Sequence, residues 1–324
     1  MKQREAEQKV LEKIQREMEK AGIRVSIKER IQNNGARKRG IVFQQGDIPV
    51  APIVYFDENI KNIEEVEKQV EEMKNIVQNS FDETVFRLER KLLNGNWEHM
   101  KDKIVFKLVK KKGNEEFLKQ IVYKDVLDLA LVFYILLEDE EVAGSINITS
   151  SLLDMLKISE EEVYDIAKEN TPRILPSEFI DMRTIIKSSI GQETESDEMY
   201  VLRNVSEING AGTILYDGVL EKIAERLNGN FYIIPCSVHE CIIVRESSAD
   251  KESLDCMIKQ INSTALKREE VLENHAYLYD RERKLCIREK TSYVGCPNGH
   301  PTYDRVDKLY FSDKNRLCKE KMIK

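Results

Sequence analysis

Val10, Leu11, Ile14 and Met18 recur at helical spacing among charges, which predicts an amphipathic helix over residues 3–21 ending near Gly22. The period then changes to two. Ile23, Val25 and Ile27 alternate with Arg24, Ser26 and Lys28, Asn33-Asn34-Gly35 supplies turn chemistry, and residues 40–44 resume as a second strand. Ala51 to Phe56 reads as a further strand opened by Pro52, and Val66 to Phe86 returns to a charged helical pattern. Lys103 to Val109 alternates again and Gly113-Asn114 turns the chain. The most apolar run, Val126 to Leu137, is interrupted only by Asp128 and reads as a buried helix or a buried strand, its length and Leu/Ala content favouring helix. Ser145 to Thr149 reads as a strand. Ser159 followed by Glu162 matches a capping box and starts a helix over 160–169, which Pro172 and Pro176 stop.

Residues 187–198 are polar and aperiodic, as a linker is. Beyond them come a strand at 199–205, an Asn209-Gly210 turn, and a helix from Ile214 to Leu227 that Asp217-Gly218 caps or kinks. Strands at 231–234 and 241–244, a helix at 250–261 and strands at 276–279 and 285–287 complete a β-α-β-β-α-β-β order. The pattern as a whole predicts a multi-domain α+β fold, with antiparallel or mixed sheets and helices packed on one face. The divisions are 1–98, 99–186, the linker, 199–288 and a basic tail at 289–324.

Net charge is −7, from 51 Lys and Arg against 58 Asp and Glu. The excess of acid sits in residues 138–169, where ten acids face two bases, whereas the tail carries eight bases and five acids. No dense basic stripe forms, so nucleic acid is not the expected partner. The apolar run is too short to span a membrane and residues 1–20 lack the apolar core of an export signal, so neither a membrane nor secretion is expected. Six cysteines in the last third (Cys236, Cys241, Cys256, Cys286, Cys296, Cys318) read as free thiols of a cytoplasmic protein.

Several segments resemble a known family: A-P-I-V-Y-F-D at 51–57, V-L-D-L-A-L-V-F-Y at 126–134, E-N-T-P-R-I-L-P at 169–176, M-Y-V-L-R-N at 199–204 and F-Y-I-I-P-C-S-V-H-E at 231–240. Together they are similar to the uncharacterised domain-of-unknown-function family 5688 of gut clostridia, over roughly residues 1–288. The resemblance implies a cytoplasmic bacterial α+β protein and carries no catalytic residue. Cys236 stands where that pattern has serine, and the tail beyond Arg288 is an addition.

Pro235-Cys236-Ser237-Val238-His239-Glu240-Cys241 offers a nucleophile, an imidazole and a carboxylate, the set covalent catalysis uses. In an extended stretch Ser237, His239 and Cys241 face one way and Cys236, Val238 and Glu240 the other, so no such set converges locally, and no glycine elbow is present. The competing reading is a hairpin loop in which Ser237 and His239 bond the backbone, with Pro235, Ser237, His239 and Glu240 as a binding surface. In the tail, Cys296 and His300 flank a Pro-Asn-Gly turn as half a zinc knuckle, but the second half is missing and a plain turn explains them. Glu138 to Glu141 lack EF-hand spacing and read as a solvated exit loop, and Trp97 beside His99 reads as core. No metal or cofactor is expected from these motifs. The leading functional expectation is a binding or interaction protein for an unknown protein or small ligand, with the surface around Pro235 to Glu240 and the acidic 138–169 region as candidate contacts. The alternative is a hydrolase-type enzyme combining His239 with carboxylates from elsewhere. The sequence does not set the oligomeric state.

Overall fold

A computed structural model of the chain describes residues 3–45, 53–57, 60, 62–79, 98–139, 142–190, 199–235, 237–288 and 307–310. The first helix, α1 (Gln3–Met18), gathers Ala6, Val10, Ile14 and Met18 on one face through their four-residue spacing. A single 3-10 turn and Gly22, at φ +72°, end it and release the chain into the hairpin β1 (Ile23–Ile31) and β2 (Arg37–Gln45). The pair runs from Ile23 opposite Gln45 to Ile31 opposite Arg37, and β3 (Ile53–Tyr55) adds to β2. The apolar face of α1 packs on Ile41 and Phe43 and on Val66, Val70 and Met73 of α2 (Ile63–Asn79), closing a first core. Residues 80–97, including Trp97, lie outside the described residues.

The second sheet corrects the reading of the apolar run. Residues 126–137 are not helical: Val126 ends β5 (Tyr123–Val126), Leu127 and Asp128 turn the chain, and β6 (Leu129–Asp139) runs through the middle of a four-stranded antiparallel sheet. Its partners are β4 (Ile104–Lys110), β5 and β7 (Val142–Asn147). The strand lacks alternation because both of its faces are buried. Leu129, Leu131, Phe133 and Ile135 enter the main core, while Ala130 and Val132 pack with Val109, Phe117 and Leu118 on the other side.

After α3 (Ser150–Leu156), the helix α4 (Glu160–Ile174) begins as expected, the Ser159 Oγ accepting the Glu162 N–H at 3.1 Å. It does not stop at residue 169 but continues through Pro172. Pro172 falls in the last turn, and Thr171, fully buried, pins that turn by accepting the Phe106 N–H at 3.0 Å and donating to the Ala167 carbonyl at 2.5 Å. The helix thereby lies along β4.

The third sheet takes β8 (Ser177–Asp181), β9 (Met199–Asn204), β10 (Phe231–Ile234), β11 (Glu240–Arg245), β12 (Tyr277–Asp280), β13 (Leu285–Arg288) and β14 (Asp307–Tyr310), in the order β14-β13-β12-β10-β11-β9-β8, with every pairing antiparallel. Strands β8 and β9 are neighbours although the segment read as a linker lies between them; α5 (Met182–Ile190) uses its first residues and 191–198 lie outside the described residues. Helix α6 (Val219–Leu227) starts later than the Ile214 of the sequence pattern. Residues 210–215 form a 3-10 turn, and Gly218, at φ +75°, resets the backbone before the helix. Leu220, Ile223, Ala224 and Leu227 of α6 join Phe231, Ile233, Ile243, Tyr277 and Tyr279 in a core shared with the second sheet. The opposite face carries α7 (Lys251–Thr264), through Leu254 and Ile258 on Tyr232, Ile234, Val244 and Leu278, one layer beyond packing on a single face. The fold is therefore α+β with three antiparallel sheets. No helix among the described residues is long and apolar enough to cross a membrane.

Candidate metal centre

The loop with the strongest sequence motif holds itself together. The His239 N–H donates to the Ser237 Oγ at 3.0 Å, the His239 Nδ1 accepts the Asn209 N–H at 3.3 Å, and the Cys241 thiol lies 3.8 Å from the Ala211 carbonyl. Glu240 faces Arg203 across β9 and β11 at 3.9 Å. The imidazole of His239 is thus used on backbone, and the Ser237 hydroxyl meets the His239 amide, not its ring. Cys236 lies outside the described residues, as do Cys296 and His300; Glu138 and Asp139 end β6, and Glu140 and Glu141 are not described.

What the loop does do is hold another segment. Pro235, buried, accepts the Glu273 N–H at 2.9 Å, the Val238 N–H donates to the Glu270 carbonyl at 2.8 Å, and Ser237 bridges to Val271. From the other side the turn between β1 and β2 grips the same segment. Asn34 Nδ2 donates to the Arg268 and Val271 carbonyls, each at 2.7 Å, and Asn33 Nδ2 to the Glu269 carbonyl at 2.8 Å. Buried Asn114 ties that turn to β4, receiving the Asn34 N–H at 2.6 Å and donating to the Lys110 carbonyl at 2.6 Å. Asn262 of α7 donates to the Glu273 carbonyl at 2.9 Å, and Asp255 accepts the Ala276 N–H at 2.9 Å. Residues 268–276, which have no ladder of their own, are fixed by the backbone of the 235–238 loop and by side chains of the β1–β2 turn and α7.

This clamp delivers Glu273 and His275 to the turn before β6. There Leu127 sits at φ +54°, a conformation rare for a leucine, and swings Asp128 toward β12. The ligand-type atoms of Asp128, Glu273 and His275 all lie within 4.8 Å of one another. His275 Nε2 is 3.4 Å from Asp128 Oδ2, and Nδ1 is 3.6 Å from Glu273 Oε1. The Nε2 atom is buried and makes no hydrogen bond. The Tyr277 hydroxyl donates to Asp128 Oδ1, and its ring meets the His275 ring edge-on at 5.0 Å. Lys110 Nζ lies 3.2 Å from Glu273 Oε1.

Burial alone pushes the Glu273 carboxyl up. His275, the Asn274 N–H and the Lys110 ammonium more than offset that and hold it down at about 2, so the group is an anion at neutral pH. Asp128, with 19% of its side chain exposed against 9% for Glu273, is the more exposed of the two carboxylates. One imidazole and two carboxylates around a buried, unbonded nitrogen can coordinate a divalent cation.

The model of a family of unknown function, DUF5688, matches residues 4–281. The chain belongs to this family. Asp128, Glu273 and His275 all fall inside the DUF5688 region, whereas Cys296, His300 and Cys318 fall beyond it. No curated protein and no solved structure matches this DUF5688 chain. No motif in the sequence joins the three residues, because Asp128 lies more than a hundred positions before Glu273 and His275. One signal was visible in the DUF5688 sequence: Asp128 is the one charge in an otherwise unbroken buried run, a position where an acid is costly unless partnered.

Proposed function

We propose that this DUF5688 protein acts by binding a divalent transition-metal ion through Asp128, Glu273 and His275. The observation that carries the reading is the separation of 3.4 Å between His275 Nε2 and Asp128 Oδ2, with Nε2 buried and unbonded. Two donors that are each ~2.1 Å from a tetrahedral ion stand about 3.4 Å apart. A mixed set of imidazole and carboxylate suits zinc or manganese. Binding as the mode of action is the reading first drawn from the sequence, but the proposed contacts move from Pro235–Glu240 and the acidic 138–169 region to Asp128, Glu273 and His275, of which the loop holds Glu273.

The three-donor set also supports a second reading. Structural zinc sites close with four protein ligands, whereas three leave a position for water, so a hydrolase-type enzyme with ion-activated water is the alternative, His275 taking the part first considered for His239. We read the protein as a bacterial, cytoplasmic one, as the resemblance of its segments to the DUF5688 family implies. Calorimetric titration of chelator-stripped protein with zinc tests the site. One ion per chain is expected, with affinity reduced about tenfold or more in Asp128→Asn and His275→Ala; equal affinity in both variants rules the site out.

A further inference from the structure

Lys107 stands in β4 without an anion to answer it. Strand alternation puts it on the same face as Val105 and Val109, and Val132 of β6 is directly opposite; all three valines are buried. Its ammonium lies 5.1 Å from the centre of the Tyr134 ring and, among the described residues, makes neither a hydrogen bond nor an ion pair. Lysines before and after it are held differently: Lys101 is 3.2 Å from Glu162, Lys110 is 3.2 Å from Glu273 and Lys111 is 2.5 Å from Asp125. The 210–215 turn crosses the same strand, so close that a Cβ on Gly212 would lie 4.0 Å from the Lys107 Cα. Burial pushes the amine below the usual lysine range, and no carboxylate restores it. Yet the residue is only half-buried, so part of it still meets solvent.

The ring beside the amine is fixed. Tyr134 is buried, the Asn209 side chain hydrogen-bonds its hydroxyl, and the Asn209 N–H donates to His239 Nδ1 at 3.3 Å. His239, the imidazole that the sequence singles out, thus supports the aromatic face near which the amine lies. Such a face holds a cation without an anion, and it holds a protonated imine as it holds an ammonium. An amine short of both water and counter-ions carries a larger share of its uncharged, nucleophilic form at neutral pH, the form that lysines of carbonyl chemistry use. Valines and a ring suit an uncharged carbonyl compound, whereas a phosphate or carboxylate group is met by charged, forked donors.

We propose that Lys107 is a covalent binding site for a small uncharged aldehyde, taken up as a Schiff base. The Nζ lone pair attacks the carbonyl carbon, the carbon–nitrogen bond forms as the π pair moves to oxygen, and a proton passes from nitrogen to that oxygen to give a carbinolamine. The carbon–oxygen bond then breaks, the oxygen leaves as water after taking a second proton from solvent, and the nitrogen lone pair closes the C=N bond, whose positive charge faces Tyr134. No oxidant or reductant enters, and none of the three metal ligands takes part. The test therefore runs in chelator and is read apart from zinc binding. The full chain is incubated at pH 7 with butanal and cyanoborohydride, which fixes the imine as a secondary amine, and the labelled positions are mapped by mass spectrometry. Apart from the α-amino group, which is reactive at this pH in any chain, Lys107 is expected to label about tenfold or more faster than any other lysine. That preference is expected to vanish in urea and to be larger with butanal than with glyoxylate. Labelling of Lys107 no faster than of the other lysines, or a preference that survives in urea, overturns the proposal. An equal preference with glyoxylate overturns the choice of an uncharged ligand.

Discussion

Asn34 is the smallest change that tests how the centre is assembled. Its side chain donates twice to residues 268–271, at 2.7 Å each, from a turn more than two hundred positions away. A neutral hydrogen bond contributes about 1 kcal/mol net, and one of these two is solvent-exposed, so deleting both costs ~1–2 kcal/mol. Asn34 also sits at φ +58°, where asparagine is tolerated and alanine adds about 1 kcal/mol of strain. Asn34→Ala is therefore expected to lose ~2–3 kcal/mol. In Asn34→Gly the strain vanishes but the unfolded chain gains freedom, so that variant falls within about 1 kcal/mol of the alanine one. Urea unfolding in chelator measures both, and a zinc titration follows. Since residues 268–276 carry Glu273 and His275, the affinity of each variant should fall about tenfold, as when an outer support of a metal ligand is removed. Stability within ~0.5 kcal/mol of wild type together with unchanged zinc affinity would refute the clamp.

Three further outcomes follow from the packing. A Cβ at Gly210 would lie 2.4 Å from the His239 carbonyl oxygen and 2.7 Å from the Asn204 nitrogen, both backbone, so Gly210→Ala should cost about 1–3 kcal/mol in a thermal melt; an unchanged melting temperature counts against the tight loop. The Asp250 carboxylate caps α7 by accepting the Ser253 N–H at 3.1 Å, and Asp250→Ala should lose about 1 kcal/mol by the same measurement, an effect absent if the cap contributes nothing. Burial pushes the Lys107 ammonium below its usual range, beneath the Tyr134 ring at 5.1 Å. An amine whose pKa falls on folding binds fewer protons when folded, so its contribution to stability rises with pH from the folded value up to the unfolded one near ~10.4. Lys107→Met should therefore raise the melting temperature at pH 7 and flatten its rise toward pH 10; a lower melting temperature at pH 7 would contradict this.

The local elements were legible wherever one physical cause dominated. Helix α1, the β1–β2 hairpin with its Asn-Asn-Gly turn, the Ser159 cap and the β10–β11–α7–β12–β13 succession follow from periodicity and turn chemistry alone. Strand β6 was not legible as a strand because alternation records one wet face, and β6 has none. Helix α4 runs past its proline because Thr171 ties the last turn to β4, a tertiary contact no local pattern carries. The site was the least legible part. The segment around Pro235 to Glu240 drew notice for its nucleophile and imidazole, but its hydrogen bonds place Glu270 and Glu273, and chemistry-bearing Asp128 and His275 come together only through sheet packing.

The central claim is that Asp128, Glu273 and His275 form a metal centre, and X-ray absorption at the zinc edge of the zinc-loaded full chain tests it most directly. The account predicts one imidazole nitrogen and oxygen donors at ~2.0–2.2 Å, with the imidazole signal lost in His275→Ala. Sulfur at ~2.3 Å would place the ion on cysteines, such as Cys296 of the tail, and would contradict the account.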